Sequence, residues 1–270
     1  MQLTETAYAK INLALHVRRR REDGYHELET LFAFVDDGDR LEAGLTGVDE
    51  LRLHGEFSGA LAEGSDNIVM SALAALAHGA PWALRLDKRL PVAAGLGGGS
   101  ADAGAVFRLV ARAHGLPDDW ERIAARLGAD VPACVASRTV LGRGIGTELA
   151  PGPEDLAGCP VLLVNPRLPL STGPVFRAWD GRDRGALPTG NAREIAVTGR
   201  NDLAAPAIML CPMIGDVLAA LHDTAPWCAR MSGSGATCFA LYDDAAQRDA
   251  AAARVAARHP GWWQMAGALR

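Results

Sequence analysis

The sequence predicts an α+β fold in two domains, on three observations. Apolar residues alternate along residues 7–17, which indicates a strand with one buried face. Helical spacing of apolar residues follows at 68–78 and 100–114, so the chain combines strands with helices. Prolines and a glycine replace periodic pattern at 150–155, which is typical of a domain boundary. We therefore predict one domain over residues 1–153 and a second over 154–270.

The first domain is predicted to begin with strands and continue with helices. We expect strands over 7–17, 28–35, parts of 40–57 with glycine breaks at Gly44, Gly47 and Gly55, and 82–87. A polar loop separates the first two strands at 18–27. Ser65-Asp66-Asn67 supplies N-cap residues for a helix over 68–78. Further helices are expected over 100–114 and 117–127, the last opened by Pro117.

The second domain is predicted to alternate strands and helices. Its expected strands are 160–165, 237–242 and 262–269, and its expected helices are 175–179, 201–220 with a break at Cys211-Pro212, and 245–259. The glycine-containing stretch 182–199 is predicted to be a mobile surface loop.

Composition excludes several classes of function. The chain has 270 residues, a net charge of −5 and a pI of about 5.8, which argues against nucleic acid or an anionic membrane as partner. The arginine run 18–21 is followed by two acids and is interpreted as a solvated loop. No secretory signal and no membrane-spanning run of ~20 apolar residues is evident. The five cysteines form no C-x-x-C pair, so we expect buried thiols and a cytoplasmic protein.

A glycine-rich loop joins the strand 82–87 to the helix that follows it. Glycines at positions 95, 97, 98 and 99 allow backbone N–H groups to approach an anion closely, and Ser100 begins a helix whose dipole favours negative charge. Phosphate is the natural ligand. The loop lacks the lysine of a Walker A motif and has serine where a dinucleotide fingerprint needs glycine. A purely structural loop is the alternative.

Two further segments carry polar residues at suggestive positions. Residues 231–237, Met-Ser-Gly-Ser-Gly-Ala-Thr, form a second small-residue turn before a strand, able to pack against the first loop or against phosphate. Lys10 and Asn12 share one face of the first strand. A tight structural turn and a solvated lysine are the corresponding alternatives.

The three segments together, in this order and spacing, resemble the GHMP kinase family. Within it the likeness is greatest to the branch that phosphorylates the 2-hydroxyl of 4-diphosphocytidyl-2-C-methyl-D-erythritol in the non-mevalonate isoprenoid pathway. That likeness rests on Asp23-Gly24-Tyr25-His26, on 127–132 (Leu-Gly-Ala-Asp-Val-Pro) and on the loop 88–103, and it spans residues 8–237. It implies an N-terminal domain like ribosomal protein S5 domain 2 and a ferredoxin-like C-terminal domain.

The resemblance also implies roles for individual residues. Asp130 would be the general base toward the substrate hydroxyl and Lys10 its partner, stabilising charge near the transferred phosphoryl group; a helix N-cap is the alternative or additional role of Asp130. The positions that match ATP-binding residues are Asn67, Lys88, Pro91, Val92, Ala93, Ala94, Gly95, Leu96, Gly97, Gly98, Gly99, Ser100 and Ala101. Those that match substrate-binding positions are Asn12, Tyr25, His26, Phe32, Thr172 and Phe176.

The expected ligands are ATP, Mg²⁺ and a small alcohol, with no nucleic acid and no membrane, in a monomer or homodimer. Magnesium is expected to travel with ATP, and no carboxylate pair marks its ligands, although Ser100 is a candidate. Another kinase of the family, acting on homoserine or in the mevalonate pathway, is one alternative, against which Tyr25-His26 argue. A catalytically inactive binding protein is another, and the presence of both Lys10 and Asp130 argues against it.

Overall fold

The computed structural model of the protein describes residues 2–61, 64 and 66–270. Within these residues the strands are β1 (Gln2–Arg20), β2 (His26–Leu45), β3 (Glu50–His54), β4 (Trp82–Asp87), β5 (Val140–Arg143), β6 (Glu148–Pro151), β7 (Pro160–Asn165), β8 (Cys228–Met231), β9 (Cys238–Leu241) and β10 (Trp263–Ala268). The α-helices are α1 (Ile68–Ala74), α2 (Gly98–His114), α3 (Trp120–Leu127), α4 (Val131–Ala136), α5 (Thr172–Arg177), α6 (Ala192–Thr198), α7 (Ala204–Leu210), α8 (Met213–His222) and α9 (Ala245–Arg258). The mixed content confirms the α+β class.

The chain forms two compact units, each built from three segments. The first unit consists of Met1–Ala9, Asp37–Val92 and Gly97–Ser137. The second consists of Lys10–Asp36, Ala93–Leu96 and Arg138–Arg270. Strands β1 and β2 and the glycine loop therefore each contribute residues to both units. The domain boundary between residues 153 and 154 stays a prediction.

The first unit combines strands β3, β4 and the end of β2 with the helices α1 to α4. Residues 40–45 of β2 pair antiparallel with β4, and β3 pairs parallel with β4. Helix α2 is the central helix, packed against α1 and α4 and buried at every residue from Ala101 to Phe107. Gly104 permits the close approach of α4, because a Cβ there would lie 2.7 Å from the backbone of Cys134.

The second unit is organised around an antiparallel sheet in the order β10-β7-β9-β8. Helices α8 and α9 pack on this sheet. Their core residues include Leu162, Val164, Ile214, Val217 and Tyr242, all at most 1% exposed. The first half of β2 pairs with β5, and β5 pairs with β6.

Several sequence predictions for the strands were wrong in detail. Strand β1 is buried on both faces, since Lys10, Asn12 and His16 are 4%, 2% and 0% exposed. Each of these three side chains has a hydrogen-bond partner within the protein. The polar face of β1 can therefore be buried without leaving these groups unsatisfied. Residues 18–20 belong to β1 rather than to a loop. Gly44 does not break β2, since its pairing with Ala83 of β4 continues the ladder.

Helix boundaries also differ from the predicted ones. Helix α1 ends at Ala74, and α2 begins two residues earlier than predicted because Gly97 supplies a left-handed N-cap. Helix α4 was not predicted. The stretch 182–199 is not simply a loop, because a reciprocal capping box between Asn191 and Glu194 begins α6 within it. Ser65 lies outside the described residues, and Asn67 is the residue that caps α1.

The longest described helix, α2, has 17 residues. Among the residues that the structure describes, no helix combines the length and apolar character needed to span a bilayer.

Candidate active site

The glycine loop has an alternating backbone conformation. Ala93, Gly95 and Gly97 have φ values of +54°, +76° and +61°, in the left-handed region. Such alternation makes successive N–H groups converge on one side, which is the geometry of an anion-binding nest. Gly95 must be glycine, because a Cβ there would overlap the carbonyl oxygen of Ser232 and lie 2.9 Å from the nitrogen of Gly235. Alanine at position 93 adopts the same region against its steric preference.

The carbonyl groups of loop residues 93–96 all point into the protein. The oxygens of Ala93, Ala94, Gly95 and Leu96 accept hydrogen bonds over 2.8–3.3 Å from, in that order, the Leu170 N–H, the Thr237 N–H, the Ser232 hydroxyl and the Lys10 N–H. In the described part of the chain, the N–H groups of residues 93–99 donate to no protein acceptor. The first turn of α2 adds its own N–H groups and the positive end of its dipole. The loop thus leaves its backbone N–H groups available to an anion, while its carbonyl oxygens are used in hydrogen bonds to the protein.

A buried charge cluster lies beneath the start of α2. The Lys88 ammonium donates to Asp39 and to Asp102, each over 2.6 Å, and all three side chains are at most 3% exposed. Asp39 also accepts from the N–H groups of Arg89 and Leu90 over 2.6 and 2.7 Å. Asp102 has one oxygen, Oδ1, with no partner in the described residues.

The protonation of this cluster follows from burial. The pKa of Asp102 is raised to about 8, chiefly by burial. The positive charge of Lys88 lowers this pKa, and the neighbouring Asp39 raises it further. Burial disfavours the charged ammonium of Lys88, but the two carboxylates outweigh it and raise the pKa of Lys88. Asp102 therefore keeps its proton to a higher pH than an exposed aspartate would.

Lys88 supports the loop from behind. A Cβ on Gly98 would lie 3.2 Å from the Lys88 Nζ, so the ammonium lies directly against the first residue of α2. The Lys88 backbone is also bonded, with its N–H donating to His54 and its carbonyl accepting from Phe57. The other expected nucleotide residue outside the loop, Asn67, caps α1 by accepting the Val69 N–H over 2.9 Å. Contact of either side chain with a nucleotide stays a prediction.

Asp130 stands at the N-cap position of α4. This position agrees with the N-cap alternative, but the side chain makes no capping hydrogen bond to α4. The preceding turn lies beside the end of the glycine loop, because a Cβ on Gly128 would be 3.8 Å from the Ser100 hydroxyl oxygen. The first unit therefore brings the Gly-Ala-Asp-Val-Pro segment next to the start of α2.

Lys10 belongs to a directed hydrogen-bond chain in the second unit. Its Nζ donates to the Asn12 Oδ1 over 3.0 Å and lies 4.9 Å from the centroid of the Phe32 ring. The Asn12 Nδ2 donates to the Thr30 hydroxyl over 2.8 Å, and that hydroxyl donates to the Ala14 carbonyl over 2.7 Å. This chain fixes the amide orientation of Asn12, so that its oxygen faces the ammonium. The solvated-lysine alternative was wrong.

Two of the expected substrate-side residues, His26 and Phe176, form an aromatic cluster with Trp179. The His26 ring lies 4.9 Å from that of Phe176 and 5.7 Å from that of Trp179, the latter in edge geometry. Burial, and then the charge of Arg20, lower the pKa of His26. Its Nε2 is buried and has no protein partner in the described residues. A neutral imidazole with an unused nitrogen can therefore hydrogen-bond a ligand.

Two more expected residues have different surroundings. Tyr25 is 59% exposed at the tip of the turn between β1 and β2, where its ring is accessible for stacking. Thr172 begins α5, and its hydroxyl lies 3.0 Å from that of Ser234 in the second small-residue turn. That turn is therefore not an isolated structural element.

Lys10 belongs to the second unit and Asp130 to the first, so their pairing stays a prediction. Thr30, Asp39 and Asp102 are supporting residues that the sequence did not indicate. The turn that contains Ser232 was expected to pack against the glycine loop or against phosphate, and the hydrogen bond from Ser232 to Gly95 confirms the first of these contacts. Asp102 lies between two alanines, and that isolated polar position was its only signal. Thr30 follows Glu29 and Asp39 lies in the polar stretch 36–40, so neither stands out from its neighbours in the sequence. In the described part of the chain, no cluster of three or more His, Cys, Asp or Glu could hold a metal ion.

Comparisons with known proteins agree with this arrangement. The family model "GHMP kinases N terminal domain" matches residues 67–138, and "GHMP kinases C terminal" matches 186–261. A 4-diphosphocytidyl-2-C-methyl-D-erythritol kinase of Novosphingobium aromaticivorans is 68% identical, over 100% of this chain and 94% of its own length. The enzyme of that name from Erythrobacter litoralis is 61% identical, over 99% and 100%.

Solved structures give the same result. A crystal structure of 4-(cytidine 5'-diphospho)-2C-methyl-D-erythritol kinase matches with a TM-score of 0.83 and 33% identity, over 99% of each chain. A homoserine kinase from Cytophaga hutchinsonii matches with a TM-score of 0.71 and 16% identity, over 99% of this chain and 95% of that one, which is a likeness of fold alone. The predicted fold and family are thereby confirmed: the chain belongs to the GHMP kinase family, in the group of 4-diphosphocytidyl-2-C-methyl-D-erythritol kinases.

Proposed function

We propose that the chain transfers the γ-phosphoryl group of ATP to the 2-hydroxyl of 4-diphosphocytidyl-2-C-methyl-D-erythritol, giving ADP and the 2-phosphate. The observation that carries this proposal is the glycine loop: its N–H groups at 93–99 donate to no acceptor among the described residues, while the carbonyls of 93–96 accept hydrogen bonds from the protein. Such a loop at a helix N-terminus suits the phosphates of ATP. The named substrate comes from relatives that are 61–68% identical over nearly their whole length.

Asp130 is assigned the role of general base. Its carboxylate takes the proton of the 2-hydroxyl as that oxygen attacks the γ-phosphorus, and the bond from the γ-phosphorus to the β–γ bridging oxygen breaks to release ADP. The carboxylate does not cap α4, so the base role does not compete with a capping bond. Lys10, oriented by Asn12, would stabilise negative charge on the transferred group.

The cytidine and methylerythritol ends are assigned to the second unit. Neutral His26 offers a nitrogen to the edge of the pyrimidine, and the rings of Tyr25 and Phe176 offer stacking surfaces. Asn12, Phe32 and Thr172 complete the expected set, all on elements whose side chains are held by hydrogen bonds or ring contacts. The pyrimidine edge is the feature that separates this substrate from homoserine or mevalonate.

On the nucleotide side, residues 91–101 would wrap the phosphates and Asn67 would lie near the adenosine. Lys88 acts from behind the loop, where its ammonium is paired with the carboxyl groups of Asp39 and Asp102. Magnesium, when bound, neutralises charge on the β- and γ-phosphates. We expect the ion to arrive with ATP, and the Ser100 hydroxyl is its candidate ligand.

We further expect the protein in the cytoplasm, as a monomer or homodimer. All five cysteines are free thiols, and burial raises the pKa of Cys228 and Cys238, which suits a reducing compartment.

A substrate panel tests the proposal. Purified protein with ATP and Mg²⁺ is offered the cytidylyl alcohol, homoserine and mevalonate in parallel, and ADP release is followed. Turnover with the cytidylyl alcohol alone is expected. Turnover with homoserine or mevalonate but not with the cytidylyl alcohol would assign the chain to another activity of its family, and no turnover with any of the three would support an inactive binding protein.

A further inference from the structure

The arginine run 18–21 has no part in the function described so far. Three of its members pair with carboxylates: Arg18 with Glu29 and Asp183, Arg19 with Glu27, and Arg21 with Asp23. These are ordinary surface pairs, each worth little to stability.

Arg20 differs from its neighbours. In the described part of the chain it has no carboxylate partner. Its guanidinium instead donates to two backbone carbonyls, those of Arg177 and Trp179, over 2.8 and 2.7 Å. These carbonyls lie at the end of α5, where the helix leaves them without intrahelical partners. Arg20 therefore ties the last residues of β1 to the C-terminal end of α5.

The aromatic cluster of His26, Phe176 and Trp179 lies next to the two hydrogen bonds of Arg20. Phe176 immediately precedes Arg177, and Trp179 supplies one of the two bonded carbonyls. Both rings pack against His26, which follows the turn that Arg20 precedes. Fixing the end of α5 to the end of β1 thus sets the distance between these rings and the imidazole.

We propose that Arg20 is a positioning residue for the cytidine side of the site: it holds Phe176 and Trp179 against His26, and it places an unpaired positive charge beside a substrate that carries a diphosphate. This inference rests on the proposed function. Both bonds come from one nitrogen, Nη2, and the planar guanidinium holds the two N–H groups of that nitrogen in fixed directions, which the freely rotating ammonium of a lysine does not.

The same charge has a second effect. Burial is the larger cause of the lowered pKa of His26, and the positive charge of Arg20 is the second cause. A neutral imidazole keeps one nitrogen without a proton, so that the ring can accept as well as donate a hydrogen bond. Position and protonation of His26 are therefore both linked to Arg20.

The test compares Arg20→Gln with Arg19→Gln. Arg19 is the adjacent arginine, its side chain is 70% exposed and it pairs only with Glu27 among the described residues, so it controls for loss of one surface charge. We expect Arg20→Gln to raise KM for the cytidylyl alcohol about fivefold or more, as for loss of hydrogen bonds that order a binding group. KM for ATP and kcat should stay at their wild-type values, and Arg19→Gln should change none of the three.

A second readout needs no substrate. The titration of the His26 ring is followed by NMR, with the signal assigned by its loss in His26→Gln. Arg20→Gln should raise the pKa of His26, whereas Arg20→Lys, which keeps the charge, should leave that pKa near the wild-type value and recover only part of the KM effect. Arg19→Gln should leave the titration unchanged.

The two arms separate the possible failures. If the wild-type protein does not turn over the cytidylyl alcohol, the proposed function fails, and the NMR titration still decides whether Arg20 acts on His26. If Arg20→Gln matches Arg19→Gln both in KM and in the His26 titration, Arg20 is one more surface arginine and the inference is overturned. An equal rise in KM for ATP and in KM for the alcohol would also overturn the inference, because that pattern indicates a general structural effect.

Discussion

The Ser232 hydroxyl donates a hydrogen bond to the Gly95 carbonyl over 2.8 Å and accepts one from the Asn12 N–H over 3.2 Å. Ser232 is fully buried. One hydroxyl thus joins the small-residue turn, the middle of the glycine loop and the strand that carries Lys10. The loop conformation is held by the rest of the second unit and not by glycine alone.

Removing this hydroxyl should weaken the loop. Ser232→Ala leaves the Gly95 carbonyl and the Asn12 N–H without their partner, and such a buried loss costs about 1–3 kcal/mol in the free energy of unfolding. We expect that decrease in urea denaturation and a severalfold weaker ATP affinity by calorimetry. Ser58→Ala is the control, since the Ser58 hydroxyl also donates to a glycine carbonyl, that of Gly55, but at an exposed position. Equal effects of the two substitutions would contradict the assigned role of Ser232.

A glycine pair separates steric contact from backbone strain. Gly95 and Gly115 have similar φ values, +76° and +82°, but a Cβ at position 115 meets nothing within 4 Å, whereas one at 95 overlaps Ser232. Gly115 has a ψ of 170°, outside the left-handed helical region, so Gly115→Ala should show only the backbone strain of that conformation, about 1–3 kcal/mol in unfolding free energy. Gly95→Ala should destabilise more and also weaken ATP binding. Unchanged ATP affinity in Gly95→Ala, measured by calorimetry, would count against the glycine loop as the site that binds the phosphates of ATP.

Local sequence patterns predicted the elements whose burial is one-sided or whose ends are marked. Strand β4 was predicted with the bounds that the structure has, 82–87, because its alternation is regular and breakers flank it. The break between α7 and α8 at Cys211-Pro212 was likewise confirmed, since proline cannot continue a helix. In both cases the deciding interactions lie within a few residues of sequence.

Features that depend on distant residues could not be predicted. The polar face of β1 has the sequence pattern of a solvated face, and only its contacts with Thr30, Ser232 and the stretch 185–186 explain why it is buried. The same holds for Lys88, which pairs with residues 49 and 14 positions away. The resemblance to a family located the loop, Lys10, Asp130 and the turn that contains Ser232, but not Thr30, Asp39 or Asp102.

Asp130→Asn tests the general base. An amide cannot take up the proton of the attacking hydroxyl, so kcat should fall about 10²-fold or more. ATP affinity should be nearly unchanged, because the N–H donors of the loop are intact. Asp118→Asn, an exposed acid shortly before α3, serves as the control and should keep wild-type turnover. If Asp130→Asn retains turnover within a few-fold of wild type, Asp130 is not the base.

The buried cluster around Lys88 predicts a pH-dependent stability. The pKa of Asp102 is about 8 in the folded protein against an ordinary value of 3.8, so the folded protein retains a proton that the unfolded chain releases in this range. The stabilising effect of that proton is complete below about pH 4 and is lost as the pH rises to about 8. Relative to Asp102→Asn, the wild-type protein should therefore lose unfolding free energy between about pH 4 and pH 8.

Denaturation at a series of pH values measures this difference. Asp119→Asn is the control, because Asp119 is at the surface and its pKa is lowered by Arg122, so its substitution should give a flat difference from wild type between about pH 5 and 9. Parallel stability profiles for wild type and Asp102→Asn would show that Asp102 is already ionised at neutral pH.

The central claim is phosphoryl transfer to one particular hydroxyl, and product analysis tests it most directly. The protein is incubated with ATP, Mg²⁺ and the cytidylyl alcohol, and the product is examined by mass spectrometry and phosphorus NMR. We predict one new phosphoryl group per ADP formed, attached to the tertiary carbon that carries the 2-hydroxyl. A phosphoryl group on any other hydroxyl, or ADP without a phosphorylated alcohol, would contradict the account.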